Sequence, residues 1–148
     1  MTALHNAKVI QILLVEDNPG DVRLTREILK EAVVPNCIHA VKNGVEALAF
    51  LRRQGQYADA PRPDLILLDL NLPKKSGHEV LDEIKVDEKL KRIPVVVLTT
   101  SSADQDITKA YDAHANCYIT KPIDLNQFLK AMKAIEEFWF TVVKLPPE

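Results

Sequence analysis

The chain has no apolar run approaching the roughly 18 residues that a membrane span requires, and its first eight residues carry no hydrophobic leader. A soluble, cytoplasmic protein is therefore expected, with neither a membrane nor a secretory route in its biology. A basic excess is also missing: 19 Lys and Arg stand against 21 Asp and Glu, for a net charge of -2. Phosphate backbones need a basic face, so nucleic acid is not expected as a partner. Two cysteines cannot build a disulfide framework, and Cys37 and Cys117 each lie beside apolar residues, which predicts buried free thiols. The four histidines show no paired i, i+4 spacing, so a zinc site has no support. No internal repeat or low-complexity segment is visible. At 148 residues the chain reads as one domain, 1–148, with a short apolar extension at 138–148.

What is present centres on the segment Pro63 to Pro73. The aliphatic run Leu65 to Leu68 ends abruptly on Asp69, and the turn-formers Asn71 and Pro73 follow, with Gly77 a little further on. A short apolar run bounded by breakers predicts a strand buried on both faces. Function in open α/β sheets collects just outside the carboxyl ends of such strands. Taken alone, Asp69 reads equally well as a cap for the turn after it.

The rest of the chain repeats the theme. Val9 to Val15 is a second apolar run, ending in Glu16-Asp17, and Asn18-Pro19-Gly20-Asp21 then starts a helix with Val22, Leu24, Ile28, Leu29 and Val33 at roughly helical spacing. Cys37 to Val41 predicts a short strand. Asn43-Gly44 turns into a helix with Val45, Leu48, Ala49 and Leu51 inward, and Gly55 stops it. Gln56 to Pro63 is a polar surface loop. A helix from about Gly77 places Val80, Leu81 and Ile84 on one face, and the charged Lys85 to Arg92 stretch reads as a hydrated connection. Ile93 to Leu98 predicts a fourth strand followed by Thr99. A helix with Ile107, Ala110, Tyr111 and His114 precedes the strand Cys117 to Thr120, which ends at Lys121-Pro122. A last helix after Asp124 turns Leu125, Phe128, Leu129, Met132 and Ile135 inward. Five strands alternating with five helices imply right-handed crossovers, hence a doubly wound α/β fold with a parallel sheet.

In a parallel sheet all carboxyl ends lie on one edge. Glu16, Asp17, Asp69, Thr99 and Lys121 therefore converge. Three carboxylates attract a hard divalent cation, and oxygen ligands suit Mg²⁺. An ammonium and a hydroxyl beside that ion form a pocket for a phosphoryl group. Asp69, at the centre, is placed to attack phosphorus and become an acyl phosphate.

This pattern resembles the receiver domain of two-component response regulators, and is similar to the single-domain chemotaxis regulator. The likeness runs through Glu16-Asp17, Asp69 with Asn71, Pro73 and Gly77 in its loop, Thr99, Tyr118 and Lys121-Pro122. It implies a flavodoxin-like five-stranded sheet in the order 2-1-3-4-5. It also implies Asp69 as phosphoacceptor and Mg²⁺ held by Asp17, Asp69 and the backbone carbonyl of Asn71. The acidic pair is Glu-Asp rather than the commoner Asp-Asp, so Glu16 is expected to reach the metal partly through water. Lys121 would sit behind a cis bond and approach the phosphoryl group. Thr99 and Tyr118 would switch the surface of the fourth helix, fifth strand and fifth helix. The loop Leu67 to Lys75 and the Phe-Trp segment look most like cyanobacterial phytochrome-associated response regulators. The resemblance therefore implies a sensor histidine kinase, phytochrome-like, as phosphoryl donor, and a signalling protein that catalyses only its own phosphotransfer and slow dephosphorylation. No output domain fits in the remaining length, so the output would be binding to a downstream protein. Two competitors fare worse. A haloacid-dehalogenase-type phosphatase usually needs a second acid two residues after the nucleophile, where Asn71 stands, and a flavodoxin-like nucleotide binder needs a Gly-rich loop where Glu16-Asp17 would repel phosphate.

The C-terminus adds one expectation. Phe138, Trp139 and Phe140 are consecutive, and at about 100° per residue they cannot all face the core. With Val142 they offer an apolar patch of the kind found at protein contacts, for which a symmetric homodimer is the expected cover. The competing reading is a tail folded back over its own domain.

Overall fold

A computed structural model describes residues 9–30, 35–70, 72–99, 117–120, 126–127 and 130. Five strands form one sheet: β1 (Ile10–Val15), β2 (Asn36–Val41), β3 (Leu65–Asp69), β4 (Val95–Thr99) and β5 (Cys117–Thr120). All neighbours pair in parallel, in the order β2-β1-β3-β4-β5, as expected. Three α-helices are described in full, α1 (Pro19–Lys30), α2 (Gly44–Leu51) and α3 (Gly77–Val86), with a short 3-10 helix at Gly55–Tyr57. Residues 126, 127 and 130 are helical, at the place predicted for the last helix. The helix predicted around Ile107 to His114 and the apolar segment 138–148 lie outside the described residues. Among the described residues no helix is long and apolar enough to cross a membrane.

Alternation along the strands separates two cores. Leu13, Val15, Ile66, Leu68, Val95 and Val97 pack with Leu48, Phe50 and Leu51 of α2 and Val80, Leu81 and Ile84 of α3. The intervening residues Ile12, Leu14, Leu65, Leu67, Val96, Leu98 and Ile119 pack on Ile28 and Leu29 of α1. Strand β3 is buried along its whole length because it lies between these two layers. Its register is fixed at both ends: Gln11 and Asp64 exchange main-chain and carboxylate bonds at 2.7 and 2.8 Å, and Leu70 N donates to Leu98 O at 3.1 Å.

Each helix starts on a side-chain cap. Asn18 Oδ1 accepts from Asp21 N at 3.1 Å, and Asn43 Oδ1 accepts from Glu46 N at 2.8 Å. Ser76 and Glu79 form a reciprocal capping box at the start of α3, with bonds of 2.9 and 3.2 Å.

Several expectations need correction. Leu24 and Val45, predicted to face inward, are exposed, while Thr25, Ala47 and Phe50 are buried instead. Thr25 hides its hydroxyl by donating to Asp21 O at 2.9 Å. Cys37 is exposed because it lies on β2, which has a neighbour on one side only. Strand β4 begins at Val95, since Pro94 lacks the N–H a ladder requires. The Lys85 to Arg92 stretch is not a merely hydrated connection. Lys85 ends in a cage of main-chain carbonyls, donating to Lys91 O and Ile93 O at 3.3 Å, and burial pushes its ammonium below the usual lysine range. Leu90 and Ile93 enter the core beside it.

Truncating the doubly covered strand should be severe. Leu67→Ala is expected to cost about 2–5 kcal/mol in urea unfolding. Val86→Ala, at a site 79% exposed, should stay within about 0.5 kcal/mol of wild type.

Candidate metal and phosphoacceptor site

The strand registers bring the predicted residues to one edge. Val15 of β1 lies opposite Leu68 of β3, so Glu16 emerges at the level of Asp69. Asp69 in turn lies opposite Leu98 of β4, which puts the main chain of Thr99 one residue further out, opposite Thr120 of β5. The result is an acidic cluster: one carboxylate oxygen from each of Glu16, Asp17 and Asp69 lies within 4.8 Å of the others. Glu16 and Asp69 are almost fully buried, at 2% and 3% exposure, whereas Asp17 is exposed.

Local bonds hold these groups. Glu16 N donates to Val41 O at 3.0 Å, which ties the end of β1 to β2. Glu16 Oε2 accepts from Asn18 N at 3.2 Å, so this carboxylate also braces the turn into α1. The carbonyl of Asp69 is pressed by Gly77, where a Cβ would collide with Asp69 O and come within 2.5 Å of Leu70 Cα. Gly77 N donates to Leu70 O at 3.2 Å and closes the loop on itself. Only glycine permits that approach.

Like charges so close repel one another, and burial removes the water that would screen them. A small hard cation relieves both costs, and three carboxylate oxygens are the donor set it prefers. The buried-exposed asymmetry leaves an open side at Asp17, from which an anion and its counter-ion can enter.

Of the other predicted site residues, the side chains of Thr99 and Tyr118, and the whole of Asn71 and Lys121, lie outside the described residues, as do Phe138, Trp139, Phe140 and Val142. Tyr118 is placed on β5 by its main chain, opposite Val97. Sequence reasoning missed the loop's supports. Lys75 donates from Nζ to Glu83, whose Oε1 accepts from Arg52 Nη2 at 3.2 Å. Its hydrogen bond to Lys75 holds the Glu83 carboxylate below the usual range. The Ser-x-x-Glu spacing at Ser76 was the available signal for the α3 capping box.

The structure is a doubly wound α/β domain with a parallel five-stranded sheet and an acidic cluster where its strands end, the architecture of a receiver-type signalling domain. The chain belongs to the response regulator receiver domain family, whose profile matches residues 12–133. It is 52% identical over 135 residues to the response regulator Rcp1 of Synechocystis sp., covering 91% of this chain and 92% of that one. Among solved structures it resembles the phosphorylated cyanobacterial phytochrome response regulator RcpA, at 57% identity and a TM-score of 0.77, covering 90% and 96% of the two chains. It also resembles the Mn²⁺-bound form of Rcp1, at 51% identity and a TM-score of 0.77, covering 93% and 99%. The protein is thus a receiver-domain response regulator related to the phytochrome-associated regulators, and nothing in these likenesses supports the phosphatase alternative.

As a divalent-cation site, the cluster should stabilise the fold when an ion such as Mg²⁺ or Mn²⁺ binds it. At about 100 times Kd the stabilisation should be about 2.7 kcal/mol. Asp17→Asn and Asp69→Asn should each lose most of that gain in thermal melts with and without Mg²⁺. An undiminished gain in Asp69→Asn would place the ion elsewhere.

Proposed function

We propose that Asp69 accepts a phosphoryl group from the phosphohistidine of a sensor kinase, and that the phosphorylated form signals by binding another protein. The observation carrying this reading is the meeting of Glu16, Asp17 and Asp69 at the end of the fully buried strand β3. The Asp69 carboxylate attacks phosphorus, the P–N bond to the kinase histidine breaks, and an acyl phosphate remains on Asp69. The histidine nitrogen leaves with the bonding electron pair.

Mg²⁺ is the resident cation in this reading, with Asp17, Asp69 and the Asn71 carbonyl as ligands and Glu16 acting through water. When bound, it supplies charge neutralisation for the phosphoryl oxygens. Lys121 adds a second positive charge. The Thr99 hydroxyl donates to a phosphoryl oxygen, and Tyr118 on the adjacent strand follows it. A phosphoryl group shifts a two-state surface only through such differential contacts. The kinship with Rcp1 and RcpA supports a phytochrome-type kinase as donor, and a cytoplasmic setting goes with that donor.

Incubation with acetyl phosphate and Mg²⁺ should add one phosphoryl mass to the wild type and none to Asp69→Asn. Stable aspartyl phosphate mapped elsewhere in that variant would overturn the assignment.

The reading also takes 1–148 as one receiver domain with a short apolar extension at 138–148. In this reading Phe138, Trp139, Phe140 and Val142 form the contact of a homodimer, because consecutive aromatics cannot all be covered by one domain core. Sedimentation equilibrium at micromolar concentration should show a dimer for wild type and a monomer for the variant with Phe138→Ala and Trp139→Ala together. A monomeric wild type, with and without phosphodonor, would instead support a tail folded onto its own domain.

A further inference from the structure

The loop between Asp69 and α3 is gripped by the first residues of two different helices. Gly77 of α3 presses on the backbone of Asp69 and Leu70. Gly44 of α2, distant in sequence, does the same at the loop's other end. A Cβ at Gly44 would collide with Lys75 O, and would lie 2.8 Å from Lys75 Cβ and 2.7 Å from Val80 Cγ2. Helix α2 cannot retreat cheaply from this contact. Gly44 is buried, the Asn43 cap fixes the helix start, and Ala47, Leu48 and Leu51 anchor it in the core.

Lys75 is held from a third side. Its ammonium donates to Glu83 of α3, and Arg52, at the end of α2, donates to the same carboxylate. Hydrogen bonding to Glu83 raises the Lys75 ammonium above its usual range. Lys74, immediately before it, has a φ of 66°. A non-glycine residue in that left-handed region persists only where its surroundings impose it. The near end of the loop is equally fixed, by Leu70 N on Leu98 O at 3.1 Å and by Gly77 N on Leu70 O at 3.2 Å. Bulk added at Gly44 that displaces the Lys75 main chain therefore acts on a loop already held at its Asp69 end.

We infer that Gly44 is a positioning residue for the acidic site, acting through the main chain of Lys75, so that the start of α2 sets the geometry of the loop next to Asp69. This rests on reading Asp69 as the phosphoacceptor. Gly44 touches neither the cation nor the phosphoryl group. Its role is to allow a close approach of backbones that any side chain would forbid.

The test uses the full chain with Gly44→Ala, Val80→Ala and the two combined. Amide chemical shifts are recorded for residues 69–77, with Mg²⁺ titrations and rates of phosphorylation by acetyl phosphate. Gly44→Ala is expected to shift those amides, and to weaken Mg²⁺ and slow phosphorylation by about tenfold or more, as sub-ångström misplacement of a reacting group does. Val80→Ala removes the methyl that crowds position 44 from the core but leaves the Lys75 carbonyl in place. The combined variant should therefore stay impaired. Wild-type shifts, affinity and rate in Gly44→Ala would overturn the inference. So would full recovery in the combined variant, which would trace the loss to helix packing. A wild type that takes no phosphoryl group would refute the phosphoacceptor reading instead, while the amide shifts still decide the role of Gly44. Should Gly44→Ala fail to fold, Lys75→Gly carries the test. It frees the loop main chain and releases Glu83, and wild-type affinity and rate in it would overturn the inference.

Discussion

Burial of β3 on both faces is the constraint from which the rest of the molecule follows. A strand covered on both sides has no polar face to give to water, so its residues are aliphatic until the sheet edge is reached. The first residue free to be polar is Asp69. Parallel pairing with β1 and β4 then decides its neighbours, because registers set by the core bring Glu16 level with it and the Thr99 main chain one step beyond. The site is thus a by-product of core packing. A slip of one residue in β3 would exchange its two faces between the α1 layer and the α2–α3 layer, and would also withdraw Asp69 from the cluster.

Most of this was legible in the chain itself because it rests on short-range pattern. Aliphatic runs ending on Glu16-Asp17 and Asp69 marked β1 and β3, and alternation with helical spacing fixed a parallel sheet. Errors arose where tertiary contact outvotes pattern. Val45 is apolar yet exposed, since the cap at Asn43 sets the rotation of α2 and turns Ala47, Leu48 and Leu51 inward. Lys85 looked like a solvated charge, but it is half-buried and its ammonium finds main-chain carbonyls. The exposure of Cys37 follows from sheet order, which apolar neighbours in sequence do not reveal.

The site residues divide along the same line. Carboxylates at strand ends can be read from sequence because strand ends can. The supports of the loop cannot, since Gly44 and Lys75 meet only after two helices have packed on one sheet face. Asn43-Gly44 announces a helix start, and nothing in that dipeptide says which backbone it will touch.

Placing Glu16 and Asp69 side by side with little water works against stability, and the surrounding bonds show how the fold tolerates it. Glu16 braces the entry into α1, and the loop after Asp69 is closed by hydrogen bonds, glycine contacts and the Lys75–Glu83–Arg52 bridge. Surface ion pairs of this kind add little stability individually. Their value here is geometric, because one carboxylate on α3 receives a lysine from the loop and an arginine from α2. A cation site gains from such rigidity: its ligands are set before the ion arrives, so less of the binding free energy goes into ordering them. The same stiffness underlies the role inferred for Gly44, because the loop it touches at Lys75 is held at its other end beside Asp69.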